Sequence, residues 1–361
     1  MKALILAGGF GTRLRPISCS RPKTLFPIIN KPLLEGIFER LSENNITEAI
    51  MAVNSLTEFY IRKQKLKKHG LKIRYSIDPP KRPLGTAGPI KKAEKLIGKT
   101  DSFLVLNGDI FADVKYREII ETHKENEALA TIVLKKVKDP SRYGSVEITK
   151  NNRIKQFIEK PKKGLAPTNL INAGIYLLNS KVLEYIEKNR YVSMEREIFP
   201  KLVGEKKLFG YHMQGLWMDI GKPAEYLEAN KILLEAHYKN KKSNNKKYKT
   251  KNYVAIDIGV KIGAKTVIGP YTVLGKNVSI GKLVQISKSV ILPDSEIQDG
   301  TKINESIIGE GVFIGKNVRI GRGCIIGDFA KIRDNVSLPE GAEVCPGKEI
   351  SENILKSNIV C

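Results

Sequence analysis

Histidine and cysteine are both scarce in this 361-residue chain, at four each. His69, His123, His212 and His237 are scattered, and Cys19, Cys324, Cys345 and Cys361 lie far apart without C-x-x-C spacing. No zinc site and no disulfide framework is visible in such a pattern. Long apolar runs are missing too. Nothing approaches the ~20 residues of a membrane span, and the N-terminal apolar run breaks at Gly8, before a signal-peptide core could form. A cytoplasmic location is therefore expected. Acids are outnumbered, 38 against 62 Lys and Arg, which gives a formal charge of +24. That balance favours polyanionic partners, whether nucleotides, nucleic acid or an anionic surface, without choosing among them. A hydrophobic content of 41% is ordinary for a soluble chain, and the length suits two domains.

The strongest local signal is Ala7-Gly8-Gly9-Phe10-Gly11-Thr12-Arg13-Leu14, directly after the apolar run Ala3 to Leu6. It reads as a strand feeding a phosphate-binding loop. Closely spaced glycines let consecutive amide N–H groups turn toward an anion, and Arg13 adds a fixed positive fork. Two nucleotide fingerprints are excluded. A dinucleotide G-x-G-x-x-G loop would need glycine at Leu14, and the only Walker-like segment, Gly98-Lys99-Thr100, has Ala93 in place of its first glycine. Lys23, in Arg21-Pro22-Lys23, supplies a second cation on a stretch stiffened by proline.

The chain changes character near residue 240. Before it, Ala3–Leu6, Ala49–Val53, Ile73–Ile77, Phe103–Leu106 and Ala130–Leu134 read as strands, alternating with helical patterns at Pro32–Asn44, Thr57–His69, Gly88–Ile97 and Tyr116–Asn126. This alternation predicts an α/β fold with a mixed, mostly parallel, Rossmann-like sheet. Ligands would then sit beyond the strands' carboxyl ends, where the opening loop and Asn107-Gly108-Asp109 fall. The Lys-rich run 239–252 reads as a linker between a domain at 1–238 and another at 253–361. It contains one aromatic, Tyr248, and is not expected to bind nucleic acid.

From Ile256 onward, aliphatic residues recur every six positions: Ile256, Ile262, Ile268, Leu274, Ile280, Ile286 and Leu292, then Ile308 through Val344. A small or β-branched residue follows four positions later, as at Thr266, Val278, Val318 and Cys324. Such a hexapeptide repeat predicts a parallel β-helix with both positions inward. Glycines such as Gly263, Gly275 and Gly315 are expected at its tight corners. Some solenoids of this kind are histidine-dependent acyltransferases, but no histidine follows His237. The domain is therefore expected to be a scaffold for assembly into a homo-oligomer.

The segment Leu6 to Pro16, with Pro22-Lys23 and Asn30-Lys31-Pro32, resembles the signature loop of sugar-1-phosphate nucleotidyltransferases. The resemblance continues through Pro83 to Pro89, Leu106 to Asp109, Tyr143-Gly144, Phe157 to Pro161, Ile171 to Tyr176, Met194 to Pro200 and Gly215 to Gly221. With the repeats, a left-handed parallel β-helix in this family, it covers nearly the whole chain. It is greatest with the mannose-1-phosphate guanylyltransferase branch.

The resemblance implies attack by a sugar-1-phosphate oxygen on the α-phosphorus of an NTP, with loss of pyrophosphate. It assigns Asp109 and Asp219 to Mg²⁺, and Arg13 and Lys23 to the triphosphate. Leu6, Ala7, Gly8, Gly9, Gly11 and Thr12, with Gly85, Thr86 and Gly88, would hold the nucleotide. Gly144, Glu159, Lys160, Asn172 and Gly174 would hold the sugar phosphate. Taken singly, Asp109 or Asp219 would equally serve as a turn or capping residue. GTP and mannose 1-phosphate are the expected substrates. The alternatives are a thymidylyl- or uridylyltransferase acting on glucose 1-phosphate, or a non-catalytic NDP-sugar sensor of the same fold. All four charged residues are present, which favours the enzyme.

Overall fold

A computed structural model describes residues 1–9, 11–79, 82–237, 247–354 and 359–361. It forms two compact units, Met1–Gly9 with Leu33–Asp219, and Phe10–Pro32 with Ile220–Cys361. Of the expected linker, residues 239–246 lie outside the described residues. Lys249–Thr250 is already a strand, paired with Val267–Ile268.

The first unit is built on a nine-stranded mixed sheet. Lys2–Leu6 lies at its centre, parallel to Glu48–Val53 on one side and Ser102–Asn107 on the other. Lys72–Ile77 extends the parallel half. The central strands are buried nearly throughout, which is why their sequences are continuous apolar runs rather than alternating ones. Leu170–Asn179 runs antiparallel to Ser102–Asn107 and carries Ala130–Lys136 and Gly144–Ile148 on its far edge. Helix Leu33–Glu43 buries Leu34, Ile37, Phe38 and Leu41, one stripe at helical spacing.

Two helices differ from expectation. The one expected at Thr57–His69 runs over Ser55–Lys63, opened by Asn54, whose side chain accepts from Thr57 N. It stops where Lys65, Lys67 and Lys68 would place like charges within one turn of Lys63 and of each other. Gly88–Ile97 breaks at Ala93 into two short helices. Among the described residues no helix is long and apolar enough to cross a membrane.

The second unit contains helix Pro223–His237 and three parallel sheets of six, seven and six strands. Successive strands of each sheet are one coil apart, an arrangement consistent with a left-handed parallel β-helix. One inward column is Leu274, Ile291, Ile308, Ile326 and Val344, all buried. Ile291 therefore occupies the place expected for Leu292, because the side from Ile286 has five residues, and Ile297 and Ile303 continue the pattern. The small positions Thr266, Val278, Val318, Cys324 and Ala330 are fully buried. Several carry hydroxyls that close the ladder between coils. Thr266, Ser295, Thr301 and Ser306 donate to the carbonyls of Gly281, Gly309, Gly315 and Gly321 at 2.7–2.8 Å. Cys345 and Cys361, unpaired in the sequence reading, form a disulfide with Cα atoms 4.8 Å apart.

Gly269, with φ 94°, has the left-handed corner backbone expected of the repeat glycines, but others that follow an aliphatic position have a different cause. There the left-handed backbone falls two residues later, on Lys265, Asn277 and Asn317 with φ of 59°, 59° and 55°. Gly275, Gly315 and Gly327 are needed because a Cβ would lie 2.7, 2.7 and 2.5 Å from the backbone nitrogens of Pro293, Asp334 and Pro346 in the next coil. Their role is close coil-to-coil approach. Gly315→Ala should therefore destabilise the β-helix by about 1–3 kcal/mol, read as a lower midpoint in denaturant unfolding. An unchanged midpoint would remove the contact argument, since Gly315 has no positive φ to lose.

Candidate active site

The parallel half of the sheet delivers four chain segments to one edge. Leu6 pairs with Ala52 and Asn107, and Val53 with Ile77, so residues 7–9, 54, 78 and 108–109 all follow carboxyl ends of adjacent strands. The loop start is fastened there: Ala7 N donates to Ala52 O, Gly108 N to Leu6 O, and Asn54 Nδ2 to Gly8 O, at 2.8–2.9 Å.

Asp109 and Asp219 come from chain segments far apart in sequence. A short antiparallel ladder, Ile110–Ala112 against Trp217–Asp219, pairs Asp219 with Ile110, the neighbour of Asp109. Both aspartates are half-buried. Among the described residues no group of three or more His, Cys, Asp or Glu could hold a metal. Asp109 and Asp219 bring two hard carboxylates to this ladder, a donor set of the kind that suits Mg²⁺.

The residues expected to hold the sugar phosphate gather around this ladder. Trp217 Nε1 donates to Ala173 O at 2.9 Å, and its ring meets Tyr143 edge-on at 5.4 Å. Gly174, with φ 72°, leaves the space in which Asn107 Nδ2 would lie 2.6 Å from a Cβ, and its N–H donates to Asn172 Oδ1 at 2.8 Å. Asn172 Nδ2 donates to Tyr176 OH at 3.0 Å. Gly144 pairs with Glu159, whose Oε2 would be 3.0 Å from a Cβ on Gly144. Lys160 Nζ lies 3.6 Å from Glu159 Oε1, and 62% of its side chain is exposed. Burial raises the Glu159 carboxyl above its usual range and Glu195 pushes it further, while Lys160 and Arg196 oppose the rise.

Glu195 was not singled out from sequence, yet it organises this region. Its Oε2 accepts from Thr86 Oγ1 at 2.5 Å and Ser193 Oγ at 2.8 Å, and Thr86 Oγ1 accepts from Met194 N. Gly85, φ 75°, and Gly88 fit against protein: Cβ atoms there would strike Val192 O and Leu84 Cβ respectively. Their glycine character is thus already explained by packing.

The remaining expected residues, Gly11, Thr12, Arg13 and Lys23, belong to the segment that clusters with the second unit. Gly11 is left-handed, φ 62°, and caps the single turn Thr12–Leu14. A Cβ there would lie 2.8 Å from Lys23 Cγ, so the stem of Lys23 lies over Gly11. Arg13 is exposed and Lys23 partly so.

Asp78 was also missed, although it follows its strand end as Asp109 does. Its Oδ2 would be 3.2 Å from a Cβ on Gly8, and its buried Oδ1 has no hydrogen-bond partner among the described residues. Burial lifts its pKa to about 6 against the pull of Lys92.

Residues 2–236 match the family model described as nucleotidyl transferase, and residues 250–360 match that of the GMPPB C-terminal domain. A protein named mannose-1-phosphate guanyltransferase 2 from Candida glabrata is 42% identical over 65% of this chain and 65% of its own length. The chain thus spans slightly under two thirds of that relative. A mannose-1-phosphate guanyltransferase from Aspergillus fumigatus is 39% identical over 73% of each. The solved structure of HddC from Yersinia pseudotuberculosis complexed with GMP-PN superposes with a TM-score of 0.53 at 29% identity, covering 64% of this chain and 99% of that one.

The Asp78 carboxyl supplies a pH test. A carboxyl whose folded pKa, about 6, exceeds its unfolded value binds more protons when folded, so it costs stability as pH rises from about 4 to 6. Asp78→Asn should therefore raise the thermal midpoint at pH 8, with the gain vanishing below pH ~4. A gain that persisted in acid, or a loss at pH 8, would contradict this environment.

Proposed function

The chain belongs to the nucleotidyl transferase family, and from that membership we propose that it couples GTP to mannose 1-phosphate, giving GDP-mannose and pyrophosphate. The observation that carries the reading is the ladder that sets Asp219 beside Ile110 and hence near Asp109. The choice of GTP and mannose 1-phosphate is supported by the names of the relatives and by the guanine nucleotide in the HddC structure.

In the proposed reaction a phosphate oxygen of mannose 1-phosphate forms a bond to the α-phosphorus of GTP. The bond from that phosphorus to the bridging oxygen breaks, and the electron pair leaves on pyrophosphate. The attacking oxygen is already deprotonated near neutral pH, so no histidine base is required. This agrees with His123, which is buried against Thr131 and has its pKa pushed down to about 4. The difficulty is electrostatic, because two polyanions must be held together while charge moves to the leaving group.

Arg13 and Lys23 grip the triphosphate in this reading, and the glycines from Gly8 to Gly11 let the backbone approach it. Lys160 meets the sugar phosphate, while Glu159 and Asn172 accept from sugar hydroxyls. Asp109 and Asp219 hold Mg²⁺, which when bound offsets negative charge on the phosphates. The β-helix, with exposed Ile258, Leu283 and Phe329, provides the surface for self-association. Sedimentation showing only monomer at micromolar concentration would remove that last assignment.

Purified protein with Mg²⁺, GTP and mannose 1-phosphate should release pyrophosphate in a coupled assay. Failure with this pair, alongside turnover of dTTP or UTP with glucose 1-phosphate, would move it to another branch. Asp109→Asn should lose on the order of 100-fold or more in kcat; near-full activity would sink the metal assignment. Lys160→Ala should raise KM for mannose 1-phosphate about tenfold, with KM for GTP little changed.

A further inference from the structure

Resting on that reading, we infer that the β-helix holds the triphosphate-binding segment in its working conformation through Arg21, a positioning residue whose guanidinium bridges Glu310 and Asp328. Arg21 Nη2 lies 2.6 Å from Glu310 Oε2 and 2.8 Å from Asp328 Oδ2. The neighbouring Ser20 Oγ donates to the same Asp328 oxygen at 2.6 Å. Arg21 and Asp328 are well buried, with 12% and 2% of their side chains exposed, whereas Glu310, at 37%, lies at the edge. The acids raise the Arg21 pKa even though burial opposes it.

The repeat prepares this carboxylate pair. Because Ile308 pairs with Ile326, Glu310 and Asp328 occupy the same place in successive coils. The equivalent places in neighbouring coils are Lys276, Pro293 and Pro346. Only here does the column present two acids, stacked at about the 4.8 Å spacing of adjacent strands, where they repel unless a cation lies between them. Asp328 is further fixed by its other oxygen, which accepts from Glu310 N at 2.8 Å. Asp328 is therefore held by the β-helix itself as well as by Arg21 and Ser20.

What Arg21 anchors is Lys23. Pro22 separates them with φ −64° and ψ 147°, and Lys23 at once enters the turn Lys23–Leu25. A fixed Arg21 and a proline without φ freedom leave little play in the direction of Lys23. The far side of that turn is fastened to the same unit, by Tyr226 OH to Pro27 O at 2.6 Å, Ile29 N to Asn230 Oδ1 at 2.9 Å, and Asn30 Nδ2 to Leu274 O at 3.0 Å. On the near side Ser18 Oγ donates to Gly11 O at 2.8 Å, and Gly11 carries the stem of Lys23. The cations attributed to triphosphate binding thus sit on a strap pinned at intervals, with Arg21 as its ionic pin. Small errors in placing such groups are costly to binding.

The test compares full-length wild type, Arg21→Met, Arg21→Lys and Glu310→Gln. Affinity for the fluorescent nucleotide mant-GTP with Mg²⁺ is measured first, then KM for mannose 1-phosphate and the melting temperature. Arg21→Met should weaken mant-GTP about tenfold while KM for mannose 1-phosphate changes less than about twofold. Arg21→Lys should recover part of the loss, because one cation can still lie between the acids. Glu310→Gln removes one charge at the exposed edge, so the fold is kept, and it should weaken mant-GTP in the same direction by about two- to threefold. The proposal is overturned if folded Arg21→Met binds mant-GTP like wild type, or if both substrates weaken together in step with melting temperature. If Arg21→Met does not fold, Glu310→Gln with unaltered nucleotide affinity overturns it equally. Wild type that neither binds mant-GTP nor forms pyrophosphate would instead refute the proposed function.

Discussion

The chemistry proposed for the first unit depends on a ladder of three residues on each side. Ile110–Ala112 and Trp217–Asp219 are short and would be marginal in isolation. They persist because each continues a firmly held element: the first follows buried Ser102–Asn107, and the second is tied by Trp217 Nε1 to Ala173 O of another central strand. The consequence is economical. Two carboxylates reach one strand edge without either needing its own supporting loop, and Asn172, Gly174 and Tyr143 are arranged around the same contact.

A second constraint governs the repeats, namely how close two coils can approach. Backbone nitrogens of one coil occupy the space that side chains at Gly275, Gly315 and Gly327 would fill. The inward columns can then pack at the spacing of adjacent strands, with Leu274, Ile291, Ile308 and Ile326 fully shielded from water. Five-residue sides before Ile291 and Ile308 fall in two successive coils at the same corner, so the parallel pairing continues through them without a break.

Much of this was legible from the chain itself. The central strands are apolar runs because both their faces are buried, and the six-residue period has no other common structural cause. Asp109 stands out at the end of such a run. Asp219 does not, since Trp217–Asp219 is too short to show a period and owes its place to a partner a hundred residues earlier. The strands Gly144–Ile148, Ile154–Glu159 and Leu208–His212 went unread for a related reason, their half-buried patterns mixing polar with apolar residues. Leu292 looked periodic because two aliphatics, Ile291 and Leu292, stand side by side and both are buried. Glu195, Asp78 and Arg21 were obscure because groups that surround them, Thr86, Gly8 and Asp328 respectively, come from distant parts of the chain, and nothing local marks a charged residue as one that will be enclosed.

The buried hydroxyls of the solenoid add a directional tie to an interior that is otherwise apolar. Thr266, Ser295, Thr301 and Ser306 each donate to a main-chain carbonyl of the following coil, whereas Val278, Val312 and Val318 fill the same class of position with methyl groups alone. Each such bond contributes about 0.5–1.5 kcal/mol. Cohesion is therefore uneven along the stack: some rungs are fastened by bonds of fixed direction, others by the fit of their side chains only.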